Sequence, residues 1–300
     1  MLSRRDFLKL SGAGVLGLLL SGLRLESIQA DEAAPVRQGR VAYYKVSVYD
    51  APSIEGKKIA VHKRDEILSI LETVIGGAET DYNRRWYRIG EGEYVYSGGI
   101  QPVQSVHHKP IHDIPGYGAL GEVTVPFVDT YWKPDYQYNR GYRLYYETTH
   151  WVRELVVNMY DRGLWYRLYD DRIRTPYYAP AKCLRIIPYE ELTPLSPDVP
   201  AELKHIRVAL AEQLVAAYED EKPVFLARAS TGTRANSTPL GQFQTFHKRS
   251  TRHMAGGDLV ATSYDLPGVP WVSSPRTVSR CTVRTGTATT ARLTVTAAST

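Results

Sequence analysis

Val224–Trp271 reads VFLARASTGTRANSTPLGQFQTFHKRSTRHMAGGDLVATSYDLPGVPW, and its reading decides the fold. Pro223–Ala229 reads as a strand, the third of a series. Two such runs precede it, Ile206–Leu210 and Gln213–Tyr218, with Glu219-Asp220-Glu221-Lys222 as a polar turn, so the segment begins as a β-meander. Loops rich in Gly, Ser and Thr follow. Gly232 and Gly241 permit backbone conformations that a side chain forbids, and Pro239 fixes its own φ, so these loops can be rigid. Tyr264 and Trp271 supply flat apolar area with a polar edge, which suits a peptide backbone as well as a core.

Beyond Val272 the composition changes. Ser273–Thr300, SSPRTVSRCTVRTGTATTARLTVTAAST, has no acidic residue, no aromatic and a large excess of Thr, Ser and Ala. Its low hydrophobicity and positive charge predict disorder, and the loss of partner strands would leave open sheet edges upstream.

The whole chain has 300 residues, enough for one sizeable core and one or two small ones. Its 22 Tyr and 5 Trp against 5 Phe suit small β-domains with half-exposed aromatics. The net charge of +5 comes from basic ends, with no basic stripe interleaved with aromatics, which argues against a nucleic-acid partner. Cys183 and Cys281, the only cysteines, can make neither a disulfide framework nor a four-ligand zinc site. His107, His108 and His112 do not suggest a metal site, because adjacent strand residues point to opposite faces and no carboxylate accompanies them. No cofactor is expected.

Residues 1–30 read as a targeting segment. Ser3-Arg4-Arg5-Asp6-Phe7-Leu8-Lys9 resembles the twin-arginine export motif, and the apolar run Leu10–Leu23 is shorter than a membrane span requires. With cleavage after Ile28-Gln29-Ala30, the mature chain is expected outside the cytoplasmic membrane, in periplasm, wall or medium, with no stable membrane span.

Two similar units follow. Trp86-Tyr87-Arg88-Ile89 recurs as Trp165-Tyr166-Arg167-Leu168, and Gly98–Val103 recurs in register as Ala181–Pro188. Short alternating runs punctuated by Gly and Pro predict small barrels at 39–104 and 142–188, and both units resemble bacterial SH3-like domains. Between them, 105–141 reads as a Pro-, His- and Tyr-rich connector, and 189–203 as a Pro-rich linker. The expected fold class is therefore mainly β: two SH3-like barrels, a truncated β-sandwich-like domain at 204–272 and a disordered tail at 273–300.

The third domain resembles the opening of an L,D-transpeptidase catalytic domain of the YkuD type. The resemblance rests on Ser230-Thr231-Gly232, Thr238-Pro239-Leu240-Gly241-Gln242-Phe243, His253-Met254 and Tyr264–Trp271, in that order. It implies a cysteine enzyme that cuts a peptide bond in a wall tetrapeptide and passes the acyl group to an amine on a neighbouring stem. That chemistry needs a thiolate, a nearby His and backbone donors for the oxyanion. The family carries them in an H-G-T motif and a following S-H-G-C, beyond the V-P-W segment.

Neither motif is present, and no His follows His253. No catalytic residue is therefore expected; His253, Met254, Tyr264, Pro270 and Trp271 are the expected substrate-binding residues. A frame change near Val272 explains the loss. Taking the last base of each codon with the first two of the next, permitted codons from Arg280 to Thr300 spell A-L-H-G-T-Y-W-H-x-D-Y-G-T-P-x-S-H-G-C-V-N. Both missing motifs return in order, with the nucleophile straddling Ala297 and Ala298. The expected partner is peptidoglycan, through stem peptide or glycan. An alternative is a non-catalytic wall-binding protein acting through its SH3-like units.

Overall fold

The computed structural model describes residues 37–77, 83–232, 238–256, 264–277 and 292–296, with the side chains of 275–277 and 292–296 excepted. The targeting segment and Cys281 lie outside these residues. The described chain is mainly β, with several sheets and short 3-10 turns. It divides into two compact units: 187–250 with 271–300, and 29–186 with 251–270.

In the larger unit the first eight strands are β1 (Arg37–Val41), β2 (Lys45–Tyr49), β3 (Lys58–Lys63), β4 (Ile67–Ile70), β5 (Glu72–Ile75), β6 (Arg85–Gly90), β7 (Glu93–Tyr96) and β8 (Ile100–Val103). They form a three-stranded sheet, β4-β1-β8, and a five-stranded sheet, β3-β2-β7-β6-β5. Val41, Leu68, Ile70 and Ile100 from the first sheet meet Val46, Val48 and Val95 from the second in one core. Alternation produces this directly: in Ile67-Leu68-Ser69-Ile70 the second and fourth residues are buried and the others exposed. Trp86 is buried, with the rings of Tyr49 and Tyr96 edge-on at 5.5 Å.

The predicted barrel is corrected here. The strands form two open sheets, and β4 and β5, separated only by Leu71, pair in different ones. The chain bends from one sheet to the other at that residue, whose amide donates to Arg88 O at 2.9 Å.

The next seven strands are β9 (Ala119–Val123), β10 (Phe127–Tyr131), β11 (Arg140–Tyr145), β12 (Thr149–Val157), β13 (Leu164–Tyr169), β14 (Pro176–Pro180) and β15 (Leu184–Ile186). They make one open sheet ordered β11-β10-β14-β13-β12-β9-β15, again not a closed barrel. Its core includes Val123, Leu144, Val152, Tyr166, Leu168, Tyr177 and Leu184. The stretch expected as a connector supplies β9 and β10; Val123 and Val128 are buried there, so its apolar residues serve this core. Asp65, in the β3–β4 turn, accepts from Arg40 at 2.7 Å and from Arg143 at 2.8 Å, and Arg143 grips Asp129 with two nitrogens at 2.7 and 2.9 Å. This partly buried network joins the two strand groups.

The last strands are β16 (Lys204–Ala209), β17 (Leu214–Glu219), β18 (Lys222–Arg228), β19 (Gly241–Gly256), β20 (Tyr264–Thr277) and β21 (Arg292–Thr296), in the order β18-β17-β16-β21-β19-β20. The β16-β17-β18 meander has its expected antiparallel pairing, from Lys204↔Glu219 to Ala209↔Leu214 in the first hairpin. The expectation of a disordered tail does not hold for Ser273–Thr277 or Arg292–Thr296. The first group continues β20, and the second pairs in parallel with β16 and antiparallel with β19. Arg-Leu-Thr-Val-Thr alternates with period two and includes β-branched residues, a pattern that fits a strand despite the Thr-rich composition. The core of this unit is thin: among the described residues, Ile187 and Phe243 are its only buried apolar side chains.

Candidate functional site

A cluster of titratable groups lies in the larger unit, where the end of β19 and the start of β20 meet β11, β12 and the turn after β13. His253 is 4% exposed. Its Nδ1 lies 2.6 Å from Asp170 Oδ2 and its Nε2 lies 2.6 Å from Asp265 Oδ1. Each ring nitrogen thus faces a carboxylate oxygen, one from the turn after β13 and one from β20. The ring also stands edge-on to Tyr142, with centroids 5.3 Å apart.

Asp170 is fixed by its own turn. Its other oxygen accepts from the Arg172 and Ile173 amides at 2.7 and 2.9 Å, so the residue after the strand closes the turn with its side chain. Burial pushes its carboxyl up, but the Ile173 amide, His253 and the Arg172 amide outweigh burial and hold it below the ordinary carboxylate value. The Tyr142 phenol is raised far above its ordinary value, by burial first and then by the neighbouring Asp170 charge.

Asp171 points the other way. It accepts from Arg252 Nη1 at 2.7 Å and from the His253 amide at 2.8 Å. Adjacent carboxylates of one turn are thus held by adjacent residues of β19, with Arg172 also 3.8 Å from Asp265.

His150 lies deeper. Its Nδ1 is 2.8 Å from the Tyr177 hydroxyl and its Nε2 is 3.0 Å from Thr148 Oγ1. Burial pushes its pKa down to about 3, so the ring is neutral at ordinary pH. Gly268 packs on it: at φ +78°, a Cβ there would sit 2.1 Å from His150 Cε1. The Leu266-Pro267-Gly268-Val269 segment therefore needs glycine at this place for contact as well as conformation. The Thr251 hydroxyl donates to Thr149 O alongside.

The expected substrate-binding residues differ in exposure and fall in both units. His253 is enclosed, whereas Met254 is 38% and Tyr264 46% exposed. Gly256 and Tyr264 are close, since a Cβ at Gly256 would meet the Tyr264 hydroxyl at 3.0 Å. Pro270 is half-buried in the larger unit. Trp271 belongs to the smaller unit, at φ +55°, and lines a cavity of about 360 Å³ with Ile206, Thr245, Lys248, Arg249 and Ser250. A second cavity there, of about 430 Å³, is edged by Glu202, His205, Arg207, Asp220 and Glu221. Asp170, Asp171 and Tyr142 were not singled out from sequence, where the Asp-Asp-Arg after β13 reads locally as a polar turn; Asp265 entered only within the Tyr264–Trp271 stretch, and His150, which reads in sequence as a surface-loop histidine, is corrected to a buried residue of β12.

Cys183 is buried in the turn before β15, and burial pushes its thiol pKa up, away from the thiolate that acyl transfer requires. Among the described residues, no group of three His, Cys, Asp or Glu side chains is placed to hold a metal ion, and no helix is long and apolar enough to cross a membrane.

No family model matches the chain, and no curated protein matches it. Among solved structures, NlpC2 from Trichomonas vaginalis aligns over 81% of this chain and 97% of its own, at 12% identity and a TM-score of 0.18. Agreement that slight does not place the chain in that fold.

Proposed function

We propose that this chain is an exported cell-wall protein of L,D-transpeptidase descent that binds peptidoglycan stem peptide without transferring it. The observation that carries the reading is the cavity in which Trp271 stands beside Lys248 and Arg249. An indole offers flat apolar area to a peptide, and two cations complement the carboxylates that wall stem peptides carry. The order of Ser-Thr-Gly, Thr-Pro-Leu-Gly-Gln-Phe, His-Met and Val-Pro-Trp motifs supports the same descent. Catalysis is set aside because Cys183 is buried with a raised thiol pKa, and Cys281 has neither the His nor the Gly that flank the family's nucleophile.

The test is co-sedimentation of the full chain with purified peptidoglycan, together with intact-mass measurement after incubation with a wall tetrapeptide. Binding without an acyl adduct is expected, and Trp271→Ala with Lys248→Ala should weaken it. An acyl adduct on either cysteine, or no sedimentation, would contradict the proposal.

A second reading places wall binding on the SH3-like units, favoured by Tyr44 and Tyr160, which are 79 and 92% exposed. Tyrosine faces can pack on sugar rings while their hydroxyls stay hydrated. In the full chain, loss of sedimentation on changing these tyrosines to Ser, with the Trp271→Ala variant unaffected, would select it.

A further inference from the structure

The Asp170–Asp171 pair grips the strand that carries His253 in a way that resembles a bound ligand. Asp171 sits between a guanidinium and a backbone amide, at 2.7 and 2.8 Å, and Asp170 sits on the imidazole at 2.6 Å. A carboxylate held by an arginine and a main-chain N–H is a general anion-recognition arrangement; Asp171 has it, with Asp170 beside it on the imidazole. The donors and acceptors are 81 to 83 positions apart, so the contact is tertiary and is not imposed by local chain geometry. Its rim is open: the side chains of Arg252 and Asp265 are 38% and 57% exposed, and that of Asp171 is 24% exposed. Arg172, with half of its side chain exposed, adds a second guanidinium at this edge.

We propose that the Asp170–Asp171 turn is an internal stand-in for a carboxylate-bearing peptide, an autoinhibitory contact that fills a binding surface built by Arg252 and His253. The inference rests on the wall-peptide reading above and names a second, masked surface for the same ligand class. A peptide gains this surface only in the fraction of molecules whose turn has let go, so its apparent affinity is reduced by that fraction. Charged and titratable groups facing the cluster are Asp170, Asp171 and Arg172 from the turn, Arg252 and the His253 imidazole from β19, and Asp265 from β20; Tyr142 from β11 faces His253.

The test uses the full chain and a synthetic wall tetrapeptide with free carboxylates, titrated by calorimetry against wild type, Asp171→Asn, Asp265→Asn and Asp171→Asn with Arg252→Gln. Asp171→Asn should tighten binding about tenfold, a typical worth for one charge-assisted hydrogen bond, and added Arg252→Gln should remove the gain. Asp265→Asn, at an exposed rim position, keeps the test open if Asp171→Asn does not fold, and should tighten binding in the same direction. Folded variants that bind no tighter than wild type would overturn the inference. Sedimentation with whole peptidoglycan that persists in those variants would leave the wall-binding proposal standing, whereas its loss in wild type would remove both.

Discussion

His253 and Asp170 are 83 positions apart, yet Nδ1 and Oδ2 approach to 2.6 Å with both side chains almost fully enclosed. Removing one partner of such a pair leaves a buried polar group and, here, the Arg172 and Ile173 amides without their acceptor. Asp170→Ala should cost about 3 kcal/mol of unfolding free energy, and Asp170→Asn less because one oxygen remains. Urea unfolding followed by tryptophan fluorescence measures both; an Asp170→Ala midpoint equal to wild type would show that the contact contributes nothing.

Acid should loosen the same region. His150 has a folded pKa of about 3 against an ordinary 6.5, so the unfolded chain binds the extra proton between those values. The stability from a neutral buried His150 is fully present above about pH 6.5 and is lost as pH falls toward 3. Asp170, whose folded pKa is depressed, adds its own loss as pH falls through that lowered value. The melting temperature should therefore decline steadily from pH 7 to pH 4, and His150→Gln should flatten the decline. An unchanged slope in that variant would assign the acid sensitivity elsewhere.

Gly268→Ala should destabilise by about 1–3 kcal/mol, since the new methyl meets His150 and φ is positive. Gly116→Ala is the control, with nothing near its Cβ position and no positive φ. Equal melting temperatures for the two variants would contradict the close packing of the Leu-Pro-Gly-Val segment on His150.

Much of the strand content was legible. The alternation in Ile206–Leu210 and Gln213–Tyr218, with the strand run Pro223–Ala229 after their polar turn, predicts the β16-β17-β18 meander, and a β-rich class follows from it and from the repeated Trp-Tyr-Arg runs. Closure was not legible: a single residue, Leu71, decides whether β4 and β5 share a sheet, and no periodicity marks it. Residues 119–131 read as connector because Pro and Gly interrupt a strand pattern that tertiary pairing with β12, β14 and β15 completes. The tail strand β21 was obscured by composition, since Thr-rich sequence suits disorder and strand alike. At the cluster, His253 was visible as a residue of interest, but its partners are fixed by pairings far along the chain. Asp170 and Asp171 look like any solvated turn until β19 is placed beside them.

Transpeptidase descent with a displaced reading frame is tested most directly by the nucleotide sequence, determined from independent DNA, across the codons for Gly268 to Thr300. The shifted frame should encode His-Gly-Thr over Cys281–Arg284 and Ser-His-Gly-Cys over Thr294–Ala298, whether or not one base restores it in the gene. A shifted frame that encodes neither motif would contradict that descent and leave the wall-binding surfaces without a catalytic ancestor.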